Sequence, residues 1–251
     1  MTVAADATVV GAGAGFAGDR IEPAVALASS GALDAVVLEC LAERTLAQAL
    51  AGDPGAPRYD RRLRRRLAPL LPVAHEHGCT VISNLGAADP AGAAHEVATL
   101  ASELGLGGLR VAAVLGDDLT ASAPGVDWLD ELPDDADLRA VHCYLGLDGP
   151  ARAIEEGADV VITGRVADAA LFAAPARGRL GGGEDALAGA LAIGHLLECG
   201  PQLCGGNFAA PGGEGPSAAE LARIGYPIAR IEPDGGARSP SPPAPAGGSM
   251  S

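Results

Sequence analysis

Lysine is absent from this sequence, and all 17 basic residues of the 251-residue chain are arginine. A chain without lysine cannot form a Schiff base with a carbonyl substrate or with pyridoxal phosphate, so both kinds of catalysis are excluded. A phosphate-binding P-loop and the protein kinase pattern each require a lysine, and they are excluded for the same reason. Acid–base chemistry by side chains at neutral pH is therefore left to aspartate, glutamate and histidine.

Positive charge is scarce as well. The 32 acidic residues outnumber the basic ones and give a net charge of −15, which repels a phosphate backbone and excludes nucleic acid as the expected partner. Long apolar runs are also missing, because none reaches about 18 residues without a charged residue, a glycine or a proline. The sequence therefore predicts no transmembrane helix and no membrane partner.

Cysteine and histidine patterns typical of disulfides or metal sites are missing too. The five cysteines are odd in number, scattered and without a CxxC motif, and no signal peptide opens the sequence. These features predict reduced thiols and a cytoplasmic protein. The zinc motif HExxH is absent, and His75 and His77 would diverge on a helix, so no metal site is predicted and no cofactor is specified.

Strand and helix patterns alternate along most of the chain. The predicted strands cover residues 8–10, 34–40, 79–84, 110–115, 140–144 and 159–163. Such alternation is typical of α/β proteins, so we expect a mostly parallel, Rossmann-like three-layer sheet with helices on both faces. Residues 1–232 are predicted to form this domain, and the Pro-, Ser- and Gly-rich residues 233–251 a disordered tail.

A glycine-rich turn follows the first predicted strand. Gly13, Gly15 and Gly18 have the G-x-G-x-x-G spacing of a dinucleotide-binding loop. Glu39 ends the second strand, where an acidic residue would bind a ribose hydroxyl. This arrangement is the basis for one candidate function, an NAD(P)-dependent oxidoreductase.

The residues after the glycines argue against that interpretation. Asp19 would repel a phosphate, and Pro23 fits a first helical turn, so the helix is expected to begin after the glycines rather than among them. Two alternatives remain. One is a loop for another ligand, whose backbone amides and Arg20 contact an anionic or carbonyl group, and the other is a plain turn.

Polar residues also follow the third and fourth predicted strands. Asn84 would offer its side chain to a carboxylate or carbonyl, or it is an ordinary turn residue. Asp117 and Asp118 would act as a base or hold Mg²⁺, or they are solvated loop acids of an acidic chain.

Two further pairs of polar residues are each three positions apart. Arg165 follows the sixth strand, where its guanidinium would bind a substrate carboxylate or phosphate, or would pair with Asp168. His195 and Glu198 share one face of a helix, either as an acid–base pair or as a surface ion pair.

Seven blocks, taken in order, are similar to one protein family. The blocks are GAGAGFAGDRIEPAVALA, LDAVVLECLAERT, VISNLGAADPAGAA, VAAVLGDD, ADVVITGRVADAALF, GHLLECGPQLCGGNFAAPG and LARIGYPIARI. Over about residues 7–232 they resemble the acyclic terpene utilisation family of AtuA-like proteins.

The resemblance implies a role beside acyl-CoA carboxylases in the breakdown of acyclic terpenoids and branched acyl chains. We expect an enzyme of lyase or hydratase type that acts on an acyl-CoA or a small carboxylate. The alternatives are a non-catalytic scaffold or regulatory partner of an acyl-CoA carboxylase-type complex, and the NAD(P)-dependent oxidoreductase described above.

The expected site combines catalytic residues and substrate-binding residues. The expected catalytic residues are Glu39, Asp117, Asp118 and His195. The expected substrate-binding residues are Gly13, Gly15, Gly18, Arg20, Asn84, Arg165 and Asp168. Because family members continue past GYPIARI into a second region, the chain is expected to be a truncated N-terminal portion, partnered by a further C-terminal chain or by another copy of itself.

Overall fold

The computed structural model describes residues 7–53, 55–122, 139–206 and 215–238, which form a seven-stranded sheet with helices. The strands are β1 (Thr8–Ala14), β2 (Ala35–Leu38), β3 (Thr80–Ser83), β4 (Val111–Val114), β5 (Val160–Thr163), β6 (Ile228–Ile231) and β7 (Ala237–Arg238). The α-helices of the described residues are α1 (Glu22–Ser29), α2 (Glu43–Leu50), α3 (Leu63–Glu76), α4 (Pro90–Glu103), α5 (Asp148–Glu155), α6 (Asp168–Ala173), α7 (Glu184–Leu197) and α8 (Ala218–Leu221).

The sheet is mixed but mostly parallel, as the alternating pattern predicts. Its spatial order is β4-β5-β3-β2-β1-β6-β7. The first five strands pair in parallel with their neighbours, whereas β6 is antiparallel to β1 and β7 is antiparallel to β6. The parallel strands read as continuous apolar runs because helices bury them; β2, for example, is buried at every position.

Local sequence signals explain where several helices begin. Asp89 accepts a hydrogen bond from the backbone N–H of Gly92 at 2.8 Å and caps α4, whose first residue is Pro90. Helix α1 begins at Glu22, with Pro23 in its first turn, so it starts after the glycine-rich turn as predicted.

Two sequence-based predictions about the fold are wrong. Residues 140–144 do not form a strand; the segment makes isolated bridges, Asp118 with His142 and Leu145 with Val166, because it crosses the ends of β4 and β5. The predicted tail is ordered in part, since β7 lies within it and pairs with β6. Residues 239–251 lie outside the described residues, as do residues 123–138.

Alternate strand residues pack into two hydrophobic clusters. On the first face, Val36 and Ile162 belong to a cluster with the buried sides of α1, α3 and α4. On the second face, Val37 and Val161 belong to a cluster with α5, α6 and α7. Many of the contacting residues are alanines, so the helices and the sheet pack closely despite the low aromatic content.

The strand order places a crevice between β3 and β5. The helix that follows β3, α4, packs on the first face, whereas the helices that follow β5, α6 and α7, pack on the second face. β3 and β5 are neighbours in the sheet, so their outgoing connections diverge at the carboxyl edge. Ligands of open α/β sheets bind at such a divergence, which makes this edge the first place to look for a site.

Candidate functional site

Three polar side chains lie buried where β2, β3 and β5 end. Glu39 is 9% exposed, Asn84 is fully buried, and Arg165 is 2% exposed. Buried charged groups in folded proteins require partners, and their presence at the β3–β5 crevice marks it as a candidate site. The sequence predicted all three residues, because each lies within two residues of the end of a parallel strand.

Asn84 fixes the position of Glu39. The Asn84 side-chain N–H donates to Glu39 Oε1 at 3.0 Å, and the Leu41 backbone N–H donates to the same oxygen at 2.9 Å. Asn84 is itself oriented, because its Oδ1 accepts from the Cys40 backbone N–H at 2.7 Å. Both of these bonds to the carboxylate end on Oε1, and Oε2 has no hydrogen-bond partner among the described residues.

The environment of Glu39 changes its acidity. Burial, with a smaller contribution from the negative charge of Asp168, raises the pKa of the Glu39 carboxyl, and the net value is about 7. The hydrogen bond from Asn84 and the positive charge of Arg165 act in the opposite direction. A carboxyl with a pKa near neutrality exchanges protons readily with a substrate, so Glu39 suits general acid–base catalysis.

Arg165 is held by protein groups on several sides. Its Nη2 donates to Asp168 Oδ1 at 2.7 Å, Nη1 donates to the carbonyl of Leu41, and the guanidinium carbon lies 4.4 Å from the centre of the Tyr144 ring. The remaining side-chain nitrogen, Nε, is buried without a partner among the described residues. Arg165 therefore ties α6 to the segment after β2 and carries a positive charge between two carboxyls.

Asp168 is the second carboxyl of the crevice. Burial raises its pKa, the positive charge of Arg165 lowers it, and the negative charges of Glu198 and Glu43 raise it. About a third of its side chain is exposed, so it is open to a ligand in a way that Arg165 is not. The crevice thus contains two carboxyls of perturbed acidity around one cation.

Asp117 contacts the backbone of Arg165. Its Oδ2 accepts from the backbone N–H of Arg165 at 2.8 Å and lies 3.1 Å from Nδ1 of His142. Both side chains are buried. These contacts connect Asp117 to the backbone of Arg165 and to His142, and its role as a base stays a prediction.

Asp118 and His195 lie apart from these contacts. Asp118 is exposed, and hydrogen bonds from Thr120 lower its pKa. His195 lies on the surface of α7 with Nδ1 2.8 Å from Glu198 Oε1, and its side chain is 74% exposed. Within the described residues, the contacts therefore connect His195 to Glu198 and do not bring it to Glu39.

Two residues outside the predicted set of catalytic and substrate-binding residues lie beside Arg165 at the surface of the crevice. Tyr144 donates its hydroxyl to Glu43, which lowers the pKa of the Glu43 carboxyl and raises that of the Tyr144 phenol. Tyr144 is 54% exposed, and its ring covers the guanidinium of Arg165. Glu43 and Tyr144 are separated by 101 positions in sequence, so sequence spacing does not predict their contact. The available sequence signal for either residue is its position near a predicted strand or helix.

Two of the three motif glycines allow close packing, Gly13 within β1 and Gly15 just after it. A Cβ on Gly13 would press on Val36 and Ala24, between β2 and α1. A Cβ on Gly15 would overlap the backbone of residues 198–200. A Cβ on Gly18 would meet only the ring of Phe16, which is exposed and can move, so the close approach that a side chain would block is at Gly13 and Gly15.

Internal hydrogen bonds hold the same turn. The Gly15 N–H donates to Asp19 Oδ2 at 2.9 Å, and Arg66 on α3 donates to the carbonyls of Ala17 and Asp19 at 2.6 and 3.0 Å. The Arg20 guanidinium, predicted to bind a ligand, donates to the carbonyls of Ala222 and Ile224 at 2.8 and 3.1 Å. The turn also lies above β1, two strands away from the β3–β5 crevice.

Neither a metal cluster nor a membrane span occurs in the part of the chain that the structure describes. No three His, Cys, Asp or Glu residues there gather in a way that could hold a metal ion. No helix among the same residues is long and apolar enough to cross a membrane.

Comparison with known proteins identifies the family. The sequence model of the acyclic terpene utilisation family protein AtuA matches residues 8–247. Because this match covers nearly all of the chain, the chain belongs to that family, and the resemblance seen in the seven sequence blocks is confirmed. Searches of curated proteins and of solved structures found no significant match.

Proposed function

We propose that this member of the acyclic terpene utilisation family is an acid–base enzyme of lyase or hydratase type. Its substrate would be an acyl thioester of CoA or a small carboxylate from the breakdown of branched or acyclic terpenoid chains. The observation that carries the proposal is Glu39, a nearly buried carboxyl with a pKa of about 7 at the carboxyl edge of the sheet. Perturbed acidity of this kind is concentrated at catalytic sites.

The proposed reaction uses Glu39 first as a base and then as an acid. Ionised Glu39 takes the proton from the carbon next to the thioester carbonyl, and the electrons of that C–H bond form the C=C bond. The bond from the next carbon to its hydroxyl oxygen breaks, and Glu39 returns the proton to the departing oxygen, which leaves as water. In the reverse direction the same group adds water to the double bond.

Arg165 supports both carboxyls. Its charge stabilises the ionised form of Glu39, and its ion pair with Asp168 fixes the direction of the second carboxyl. Negative charge that develops on the thioester oxygen during proton removal would be stabilised by this nearby cation in a site shielded from water.

Exchange of the α-proton of an acyl thioester for deuterium tests the first step without knowledge of the complete reaction. We expect wild-type protein to exchange this proton, measured by NMR in D₂O, and Glu39→Gln to lose about a hundredfold or more in rate. Glu155→Gln, which changes an exposed glutamate on α5, is the matched control and should exchange at the wild-type rate.

The pH dependence of exchange tests whether Glu39 is the base. The rate should rise as Glu39 ionises, with an apparent pKa of about 7 in the free protein. Asn84→Ala should move this apparent pKa upward, since the hydrogen bond that stabilises the carboxylate is lost, and Asp168→Asn should move it downward, since a neighbouring negative charge is removed. A profile unchanged by both variants would contradict the assignment of Glu39.

The other candidate functions give different results in the same experiments. A rise in melting temperature with NADH and none with CoA or acyl-CoA would support an oxidoreductase, because only a ligand of the folded state stabilises it. Co-purification with an acyl-CoA carboxylase, without exchange and without any ligand shift, would support a scaffold or regulatory partner.

We also propose that the protein works in the cytoplasm. All five cysteines are free, and Cys40 and Cys79 are buried without a disulfide partner. Unpaired thiols of this kind are typical of proteins kept in a reducing compartment.

A further inference from the structure

One side of the sheet ends in an unpaired strand. β4 is the last strand in the spatial order, and its one neighbour among the described strands is β5. A groove of about 430 Å³ runs beside β4, lined by residues 110–115 and by α5 residues such as Arg152. We call the unpaired side of β4, together with this groove, the free edge. It is separated from Glu39 by β5 and β3, so it takes no part in the acid–base chemistry proposed above.

Backbone groups of β4 point out of the sheet at the free edge. The Arg110 carbonyl accepts from the Val160 N–H at 3.1 Å, and the Arg110 N–H donates to Asp159 Oδ2 at 2.7 Å, so both groups point toward β5. Because these directions alternate along a strand, the N–H and C=O groups of Val111 and Ala113 point away from β5. Among the described residues, no hydrogen bond reaches these outward groups. The free edge therefore offers donors and acceptors with the spacing that another strand requires.

The free edge lacks the features that protect such strands from pairing with other chains. Charged residues, proline and very short strands are the usual protection. Residues 111–115, VAAVL, contain neither a charged residue nor a proline, and Leu115 is 60% exposed. The opposite side of the sheet differs, since β7 has 2 residues and one of them is Arg238. The sequence of β4 is therefore suited to an edge that a further strand covers.

Charges at the two ends of β4 favour a second copy of the same chain as the covering partner. Arg110 precedes the strand, with a side chain that is 65% exposed and 4.0 Å from Asp159, and the exposed Asp118 follows the strand. In an antiparallel pair related by a two-fold axis, the basic end of each strand lies near the acidic end of the other. Opposite charges at diagonal positions of such a pair are within reach of a long side chain. A parallel pair would bring the two arginines together instead.

We infer that the chain forms a symmetric dimer in which the free edges of two copies pair antiparallel and join the two sheets into one. Ala113 lies on the two-fold axis and faces its own counterpart, and Val111 faces Leu115 of the second copy. The small Ala113 side chains allow the strands to approach, and the pairing removes Leu115 from water. This inference goes beyond the proposed reaction and does not depend on it.

Two opposite substitutions at the axis test the inference. In a dimer of identical chains, Ala113→Lys or Ala113→Glu places like charges opposite each other, and each variant should dimerise about tenfold or more weakly than wild type. An equimolar mixture of the two variants should dimerise again, because lysine then faces glutamate. Sedimentation velocity over a dilution series measures the wild type, both variants and the mixture.

Matched controls use an exposed alanine outside the free edge. Ala47→Lys and Ala47→Glu make the same changes on α2, and each should dimerise like wild type. Hydrogen exchange read by mass spectrometry adds a second measurement. The outward N–H groups of Val111 and Ala113 should exchange more slowly in the dimer than in diluted, monomeric protein, because the second copy accepts hydrogen bonds from them.

Several results would overturn the inference. Wild-type protein that stays monomeric up to about 100 μM would do so. A dimer that neither Ala113 variant weakens, with unchanged circular dichroism spectra, would mean that another surface joins the copies. A mixture that does not dimerise would exclude the antiparallel pairing about Ala113. Equal protection of the Val111 and Ala113 amides in monomer and dimer would mean that another part of the same chain covers the free edge.

Discussion

The β3–β5 crevice and the glycine-rich turn lie at the same edge of the sheet, and they use polar groups in opposite ways. In the crevice, a buried carboxyl titrates near neutrality, and Arg165 keeps one buried nitrogen without a partner among the described residues. In the turn, Asp19 and Arg20 are engaged by backbone groups of the protein itself. The turn has the more recognisable motif, whereas the proposed acid–base chemistry is assigned to the crevice.

This difference shows that a glycine motif alone does not identify a ligand-binding loop. The G-x-G-x-x-G spacing indicates that the backbone is approached closely, and at Gly15 the approaching group is the backbone of residues 198–200 rather than a pyrophosphate. Strand order gives the more useful information, because the outgoing connections diverge between β3 and β5 and not beside β1.

The largest expected contrast is between the two arginines. Arg165→Leu should lower the free energy of unfolding by about 3–5 kcal/mol, because it leaves Asp168 and the Leu41 carbonyl without their buried partner. Arg20→Leu should cost about 1 kcal/mol, since its two hydrogen bonds are exposed to water. Urea unfolding measures both, and equal losses would remove the distinction between crevice and turn.

A second contrast concerns Glu39 and pH. The pKa of the Glu39 carboxyl is raised from 4.5 to about 7 in the folded protein, so the folded state favours the protonated carboxyl. The protonated carboxyl therefore stabilises the fold at low pH, and this stabilisation is lost as the pH rises from about 4.5 through 7. Glu39→Gln remains neutral and should be more stable than wild type by about 3 kcal/mol above pH 7, with no difference at pH 4.

Thermal and urea unfolding across this pH range provide the measurement. Glu155→Gln, at an exposed position, should show no pH-dependent gain and serves as the control. If the Glu39→Gln variant loses stability with rising pH as steeply as wild type, another group is responsible. A stabilised but inactive variant would indicate that the buried carboxyl is retained for its chemistry.

The smallest contrast tests the packing explanation of the turn. Gly15→Ala should destabilise the protein by about 1–3 kcal/mol, because the added methyl group meets the backbone of residues 198–200. Gly107→Ala adds the same methyl group where no atom lies within 4 Å, and it should stabilise by about 0.5 kcal/mol. If both variants unfold at the same urea concentration, Gly15 is not required for packing.

The sequence predicted much of the sheet and part of the site. Glu39, Asn84 and Arg165 could be predicted to lie together because parallel strands end at one edge, and each residue lies within two residues of the end of such a strand. The position of β5 between β3 and β4 could not be predicted, since it depends on which face each connecting helix covers. The crevice is defined by that position.

Other parts of the site depend on contacts between distant segments. Glu43 and Tyr144 meet across 101 residues, and the strand predicted at residues 140–144 was wrong because the segment crosses the sheet edge instead of joining it. The antiparallel β6 was not predicted, although its apolar residues Ala229 and Ile231 are buried, because a run of four residues gives a weak signal.

The pairing of β1 with β6 has a consequence for synthesis of the chain. β1 (Thr8–Ala14) is synthesised more than two hundred residues before its neighbour on one side, β6 (Ile228–Ile231). Until β6 leaves the ribosome, the nascent sheet presents an open, apolar strand edge that can pair with other chains. We therefore expect translation speed and chaperone access to influence the yield of folded protein.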